Sequence, residues 1–163
     1  MQTIQAATVK DIPVIRALSL RIWPDTYGHI LSEAQLDYML EMMYSEPALH
    51  RQMNEGQQFI LVTENGEPLG FAAYGKMDDD DTWKLHKIYV LPNTQGKGLG
   101  RRLLEYVITA VKKHGAQQLI LNVNRYNKAR QFYERLGFTV LHEEDINIGN
   151  GYFMNDYVMQ LTF

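Results

Sequence analysis

Between Leu91 and Val111 the chain reads LPNTQGKGLGRRLLEYVITAV, with Gly96, Gly98 and Gly100 at alternate positions. Upstream, TWKLHKIYVL reads as a strand that stops at Pro92. Downstream, Leu99, Leu103, Val107 and Val111 recur at helical spacing. Glycine loses more backbone entropy on ordering than any other residue and adds no packing. Three glycines between a strand and a helix therefore mark a place where something must approach the main chain closely. The fold has to be built around this strand, turn and helix.

The flanking sequence supplies the remaining elements. TIQAAT (Thr3 to Thr8) alternates as a short first strand. Asp11 and Pro13 open a helix with Val14, Ile15, Leu18 and Ile22 on one stripe, which Pro24 is expected to interrupt. Ser32 caps a second helix whose face carries Leu36, Met39, Leu40 and Met43, and a third runs from Glu46 to Met53 and stops at Gly56. The period then changes. QQFILVTENGEPLGFAAYGKM is two apolar strands around Asn65-Gly66, a strong hairpin signal, and Asp78 to Asp81 form a solvated turn. Gly115 ends the helix after the glycine turn, and QLILNV (Gln118 to Val123) reads as a buried strand. Asn127 opens a helix carrying Ala129, Phe132, Tyr133 and Leu136, which Gly137 ends, and FTVLHEED and YFMNDYVMQLTF close the chain as two strands. Strand, helices, three strands, helix, strand, helix, two strands is the order of a mixed α/β (α+β) single domain over residues 1–163.

Composition narrows the function. Apolar residues make up 45% of the 163, enough for a core, and a net charge of −3 gives no reason to expect a nucleic acid partner. There is no cysteine, which removes disulfides, thiolate metal sites and cysteine nucleophiles, and no metal is expected. The N-terminal MQTIQAATVKDIPVIRAL lacks a basic region followed by an apolar block, and no apolar run is long enough to span a bilayer. The expectation is a cytoplasmic protein without a membrane partner. The closing strand is also able to pair with a second subunit as a homodimer.

Two nucleotide-binding patterns fail on the glycine turn. A Walker loop needs Ser or Thr after Gly-Lys, and here Gly98 follows Lys97. A dinucleotide fingerprint needs G-x-G-x-x-G, and the third glycine arrives one residue early. The physical logic survives both failures. The turn exposes backbone N–H groups, the helix N-terminus adds partial positive charge, and Lys97, Arg101 and Arg102 add full charges. Pyrophosphate is the natural guest. The alternative is a glycine-rich turn with no ligand.

A second landmark bears on that choice. Gln95-Gly96-Lys97-Gly98-Leu99-Gly100 resembles the Q-x-x-G-x-G signature of the GNAT superfamily of acetyl-CoA-dependent N-acetyltransferases. KIYVLP before it resembles that superfamily's fourth strand. NKARQFYERLGF (Asn127 to Phe138) is similar to its Asn-opened helix ending in F-Y-x-x-x-G-F. The clear resemblance covers Trp83 to Phe138, and the strand order fits over the whole chain. It implies a GNAT fold with a mixed, mostly antiparallel central sheet flanked by helices. It also implies acetyl-CoA as co-substrate and direct attack by an amine within one ternary complex.

The resemblance assigns Gln95, Gly96, Lys97, Gly98, Gly100 and Arg101 to the CoA pyrophosphate. Backbone groups of Ile88, Tyr89 and Val90 go to the pantetheine arm and acetyl carbonyl, with the arm held like an added strand and an N–H stabilising the tetrahedral intermediate. Asn127 has two roles open to it, helix cap and CoA contact. Tyr133 is implied as the acid that protonates the departing thiolate, its alternative being a core aromatic beside Phe132. The general base is less defined, because the fourth strand, Trp83-Lys84-Leu85-His86-Lys87, carries no carboxylate. His86 is the available candidate, with a water chain or Glu33 or Glu41 as alternatives.

The acceptor is read from the N-terminal half. WPDTYGHILSEAQLDYMLEMMY and the closing DYVMQL resemble a bacterial branch of the superfamily that includes polyamine acetyltransferases. Trp23, Tyr27 and Tyr38 can offer aromatic faces to an alkylammonium chain. Glu33, Asp37, Glu41 and Asp78 to Asp81 can draw in a polycation. A small primary amine, such as a polyamine, is the expected acceptor. A protein or peptide amine and a non-catalytic CoA-binding module are the alternatives.

Overall fold

The computed structural model describes residues 1–94 and 96–163. Gln95, expected to contact the cofactor, lies outside the described residues. The elements are β1 (Gln2–Ala7), α1 (Ile12–Tyr27), α2 (Glu33–Tyr44), α3 (Glu46–Asn54), β2 (Gln58–Glu64), β3 (Glu67–Lys76), β4 (Thr82–Val90), α4 (Leu99–Lys113), β5 (Gln118–Asn124), α5 (Ala129–Arg135), β6 (Thr139–Gly149) and β7 (Tyr152–Thr162). The strands form one sheet in the order β1-β2-β3-β4-β5-β7-β6. Every neighbouring pair is antiparallel except β4 and β5. The mixed, mostly antiparallel sheet expected from the sequence is what the chain forms.

The two faces of the sheet are covered by different helices. Trp23 of α1 packs against Tyr89 of β4, with ring centroids 5.8 Å apart. On the opposite face Trp83 of β4 stacks on His114 at the end of α4, 5.2 Å away. The α4 stripe of Leu99, Leu103, Leu104, Val107 and Val111 is wholly buried. The Asn65-Gly66 turn has positive φ at both residues, 52° and 82°, as a two-residue hairpin of this kind requires. In the acidic turn, Asp79 Oδ1 accepts from the Asp81 N–H at 2.9 Å.

Two expectations about helices need correction. Pro24 does not interrupt α1, which continues through it to Tyr27. Proline removes one main-chain donor, but Trp23 and Tyr27 are buried side by side at 4.6 Å. The Gly28 N–H also closes the last turn on the Pro24 carbonyl at 2.9 Å. Tertiary packing holds a turn that local propensity would release. The second correction is at Asn127, where α5 begins two residues later, at Ala129.

Two irregularities in β4 position everything that follows. First, Tyr74 pairs with Leu85 and Ala73 with Lys87, so His86 is an extra residue, a bulge. Simple alternation would put Lys84 and Lys87 on opposite faces. The bulge instead puts Lys84, Lys87 and Tyr89 on the face toward α1. Second, the parallel pairing with β5 runs only from Thr82↔Gln118 to Leu85↔Leu121. Beyond Leu85 the two strands separate, and among the described residues no strand pairs with that edge of Ile88–Val90.

Candidate active site

The separation of β4 from β5 opens a cleft of about 620 Å³. Of the residues expected at a site, it brings together His86, Ile88, Tyr89, Val90, Asn127 and Tyr133. Ile88, Tyr89 and Val90 keep their pairing to β3 on one side, opposite Ala72, Phe71 and Gly70. Their other edge faces the cleft, which is the arrangement an extended ligand needs to add itself as a strand.

Gly96, Lys97, Gly98, Gly100 and Arg101 do not line this cleft; they follow it, after Pro92, at the mouth of α4. Gly96 and Gly98 have φ of 89° and 70°, and a Cβ at either would meet no atom within 4 Å. Gly98 is the N-cap of α4. The two glycines are thus required by backbone conformation, and among the described residues open space lies over them. Gly100 sits inside the helix, where a Cβ would come 3.8 Å from Phe132. The first-turn N–H groups of a helix have no intrahelical acceptor. The cations beside them have side-chain partners: Lys97 with Glu64 at 2.9 Å, Arg101 with Glu105 at 2.8 Å, and Arg102 with Gln2. What this turn exposes is therefore main chain, with charges tethered around it.

Asn127 lies one residue before Lys128, the N-cap of α5. Its Oδ1 accepts from the Ala129 N–H at 2.9 Å, a turn contact two residues on that leads into the helix, and Asn127 lines the cleft. Tyr133 lines the cleft while its ring packs edge-on against Phe132 and Phe138, at 5.3 and 5.8 Å. Burial, reinforced by the nearby Tyr27, pushes its phenol well above the ordinary value. It holds its proton throughout the neutral range.

Behind β4, on the face toward α1, lies a second cavity of about 290 Å³. Trp23 and Tyr27 line it, as do Lys84, His86, Lys87 and Asp156. The Tyr27 and Tyr89 hydroxyls meet at 2.8 Å beside it, and burial raises Tyr27 to about 12. Asp156 comes from β7 and is 1% exposed. The Asn122 amide donates to its Oδ2 at 3.3 Å. Burial pushes this carboxyl up, against the lowering pull of Asn122 and Lys84. His86 is pulled the other way, down to about 4, first by burial and then by Lys84 and Lys87. Trp23 Nε1 and Gln52 Oε1, from residues of the same lining, are buried without a hydrogen-bond partner among the described residues.

Several residues named from the sequence fall elsewhere. Glu33, Asp37 and Glu41 are exposed on α2 and line neither cavity; Glu41 faces Arg16 at 3.7 Å. Tyr38 donates its hydroxyl to the Ile148 carbonyl at 2.7 Å and packs on Tyr152, so its face is taken. Asp78 to Asp81 sit at the far end of β4, where Asp80 pairs with Lys76. Sequence reasoning missed Asp156 and Lys87. The signal for Asp156 was a lone carboxylate inside the apolar closing strand. The signal for Lys87 was hidden by the bulge.

The comparisons with known proteins bear on this geometry. The model of the acetyltransferase (GNAT) domain family matches residues 30–161. The chain is 38% identical over 87 residues to a [ribosomal protein bS18]-alanine N-acetyltransferase of Haemophilus influenzae, covering 52% of this chain and 58% of that one. It thus spans little more than half the length of that relative. It is 35% identical over 127 residues to the 5-NmdU N-acetyltransferase of Pseudomonas phage PaMx11, covering 74% and 85%. Its fold is similar to that of the PaiA N-acetyltransferase from Thermoplasma acidophilum, solved in complex with coenzyme A. The TM-score is 0.84 at 22% identity, over 100% of this chain and 99% of that one.

Proposed function

The chain belongs to the GNAT acetyltransferase family, and from that premise we propose that residues 1–163 work as one N-acetyltransferase domain that moves an acetyl group from acetyl-CoA to a small primary amine. The observation that carries the reading is the open edge of Ile88–Val90 with Tyr133 in the same cleft. The cofactor fits the residues present: an unpaired strand edge suits its amide-bearing arm, and the open space over Gly96 and Gly98 suits its pyrophosphate. Bound there, acetyl-CoA supplies the activated acetyl thioester.

The chain's own groups divide the remaining work. Tyr133 holds a proton at its hydroxyl for the departing sulfur. Asp156, at the floor of the second cavity, orients the acceptor and takes up the proton its amine sheds. His86 contributes less as a base, because a ring held near 4 has little appetite for a proton at neutral pH. The cavity's small volume and its wall of side chains from α1, α2, β6 and β7 support a small amine over a peptide. A polyamine has the faces of Trp23 and Tyr27 in its favour. Against it stand Lys84 and Lys87 in the cavity and the position of the α2 carboxylates outside it.

Calorimetry with acetyl-CoA, followed by CoA release against spermidine, amino acids and short peptides, tests the reading. Acetyl-CoA is expected to bind in the micromolar range, with release stimulated by at least one small amine. Binding without release for any amine leaves a CoA-binding module in its place.

A further inference from the structure

The second cavity holds a lysine whose position the acetyl transfer does not explain. Lys87 is 4% exposed. Among the described residues its ammonium has one hydrogen-bond partner, Gln57 Oε1 at 3.1 Å, and it lies over the rings of Tyr44 and Phe59 at 5.8 and 5.5 Å. Among the described residues no carboxylate pairs with it; the acid in this cavity, Asp156, is held by Asn122 and lies in the field of Lys84. Burying a charge without a counter-charge is expensive, so buried lysines are normally paired or neutral. The β4 bulge at His86 turns this one into the cavity, whereas regular alternation would have sent it to the other face.

We propose that Lys87 recognises an acidic group on the acceptor, so that the substrate is a small primary amine that also carries a carboxylate. The inference rests on the acetyltransferase reading and narrows its substrate. A zwitterion complements this cavity, which offers Asp156 to the amine and Lys87 to the acid. Trp23 Nε1–H is a further donor in the same wall without an acceptor. The same lining includes Met39, Met43, Ile146 and Met154, which suit an aliphatic or aromatic body, beside the polar Gln52, Gln57, Asn122 and Asn124. Burial and Lys84 hold the lysine down at about 7. An incoming carboxylate returns it to the charged form and replaces the water it has lost.

Matched acceptors separate the acid from everything else. Alanine, leucine and phenylalanine are each compared with their amides and with ethylamine, 3-methylbutylamine and phenethylamine, at saturating acetyl-CoA, by CoA release. The acid-bearing member of the preferred trio is expected to have a KM lower by about tenfold or more, the scale of one hydrogen bond to a charged group. Lys87→Met is expected to erase that difference by raising KM for the acid alone, with kcat and acetyl-CoA affinity little changed. Preference for the amines lacking the acid, or a difference that survives in Lys87→Met, overturns the proposal. A second measurement does not depend on turnover. Propionate, 4-methylpentanoate and 3-phenylpropionate are titrated into the protein with CoA present. Binding that Lys87→Met abolishes supports acid recognition even if no acceptor reacts, in which case the acetyltransferase reading alone fails. No binding of any of the three to the unaltered protein overturns the proposal, whatever the turnover. A Lys87→Met protein that does not melt cooperatively is replaced by Lys87→Gln, read in the same two assays.

Discussion

One side of the candidate site is the cleft and the glycine turn after it: β4, the turn and α4 follow one another along the chain, and what they offer a ligand is main chain, the edge of Ile88–Val90 and the turn at Gly96 and Gly98. The other side is the second cavity, where Trp23, Lys87, Asn122 and Asp156 come from α1, β4, β5 and β7, and what they offer is side chains. The first side depends on backbone shape. The second depends on a few atoms held by contacts between distant segments. A part that must grip an invariant cofactor is suited to backbone; a part that must select among acceptors is suited to side chains.

The largest expected effect tests the backbone side. Gly98→Val places a β-branched residue at φ 70°, a conformation such residues scarcely adopt. No atom of the described residues lies within 4 Å of the new Cβ, so the fold is expected to survive while acetyl-CoA binding by calorimetry disappears. Normal binding in this variant would mean the cradle lies elsewhere.

Tyr133→Phe comes next. It keeps the packing on Phe132 and Phe138 and removes the proton donor. Turnover is expected to fall about a hundredfold, with acetyl-CoA affinity unchanged. A turnover number that holds, measured where chemistry is rate-limiting, would reduce the residue to a packing role.

A smaller loss is expected for Asp156→Asn, because an amine also loses protons to solvent. Its mark is in the pH profile. Because this carboxyl is raised by burial, the rate with the unaltered protein is expected to fall as pH drops through that raised value. The Asn variant is expected to lack this limb while binding acetyl-CoA normally. An unchanged acid limb would assign the base to another group.

The smallest effect is on stability. His86 titrates near 4 in the fold against 6.5 when unfolded. Below 6.5 the unfolded chain takes up a proton that the fold refuses. Stability is therefore expected to decline as pH falls from 6.5 to 4, with this contribution fully spent below 4. His86→Gln is expected to flatten the decline between those values in chemical denaturation. A slope identical to that of the parent would place the histidine in a more open setting.

The same contrast explains what the sequence could reveal. The strand, turn and α4 were legible because their signals are local: an alternating run, a proline, glycines at fixed offsets and an apolar stripe. The hairpin at Asn65-Gly66 was legible for the same reason. Pro24 misled because the contact that keeps its turn helical, Trp23 on Tyr27 against the sheet, is tertiary. Tyr38 misled because its partner, the Ile148 carbonyl, lies 110 positions away. Asp156 and Lys87 were invisible as a pair. One depends on which strand neighbours β5, and the other on a single inserted residue that inverts the side-chain alternation of β4.

The early parting of β4 from β5 also has a thermodynamic meaning. A sheet with an open internal seam is less stable than one that is closed, and here the missing strand is proposed to be a metabolite. The fold then becomes a reporter of its own cofactor. Saturation at about a hundred times the dissociation constant would add roughly 2.7 kcal/mol to its stability by mass action. The half-life of such a chain against proteolysis would rise and fall with the supply of acetyl-CoA around it, before any acceptor is encountered.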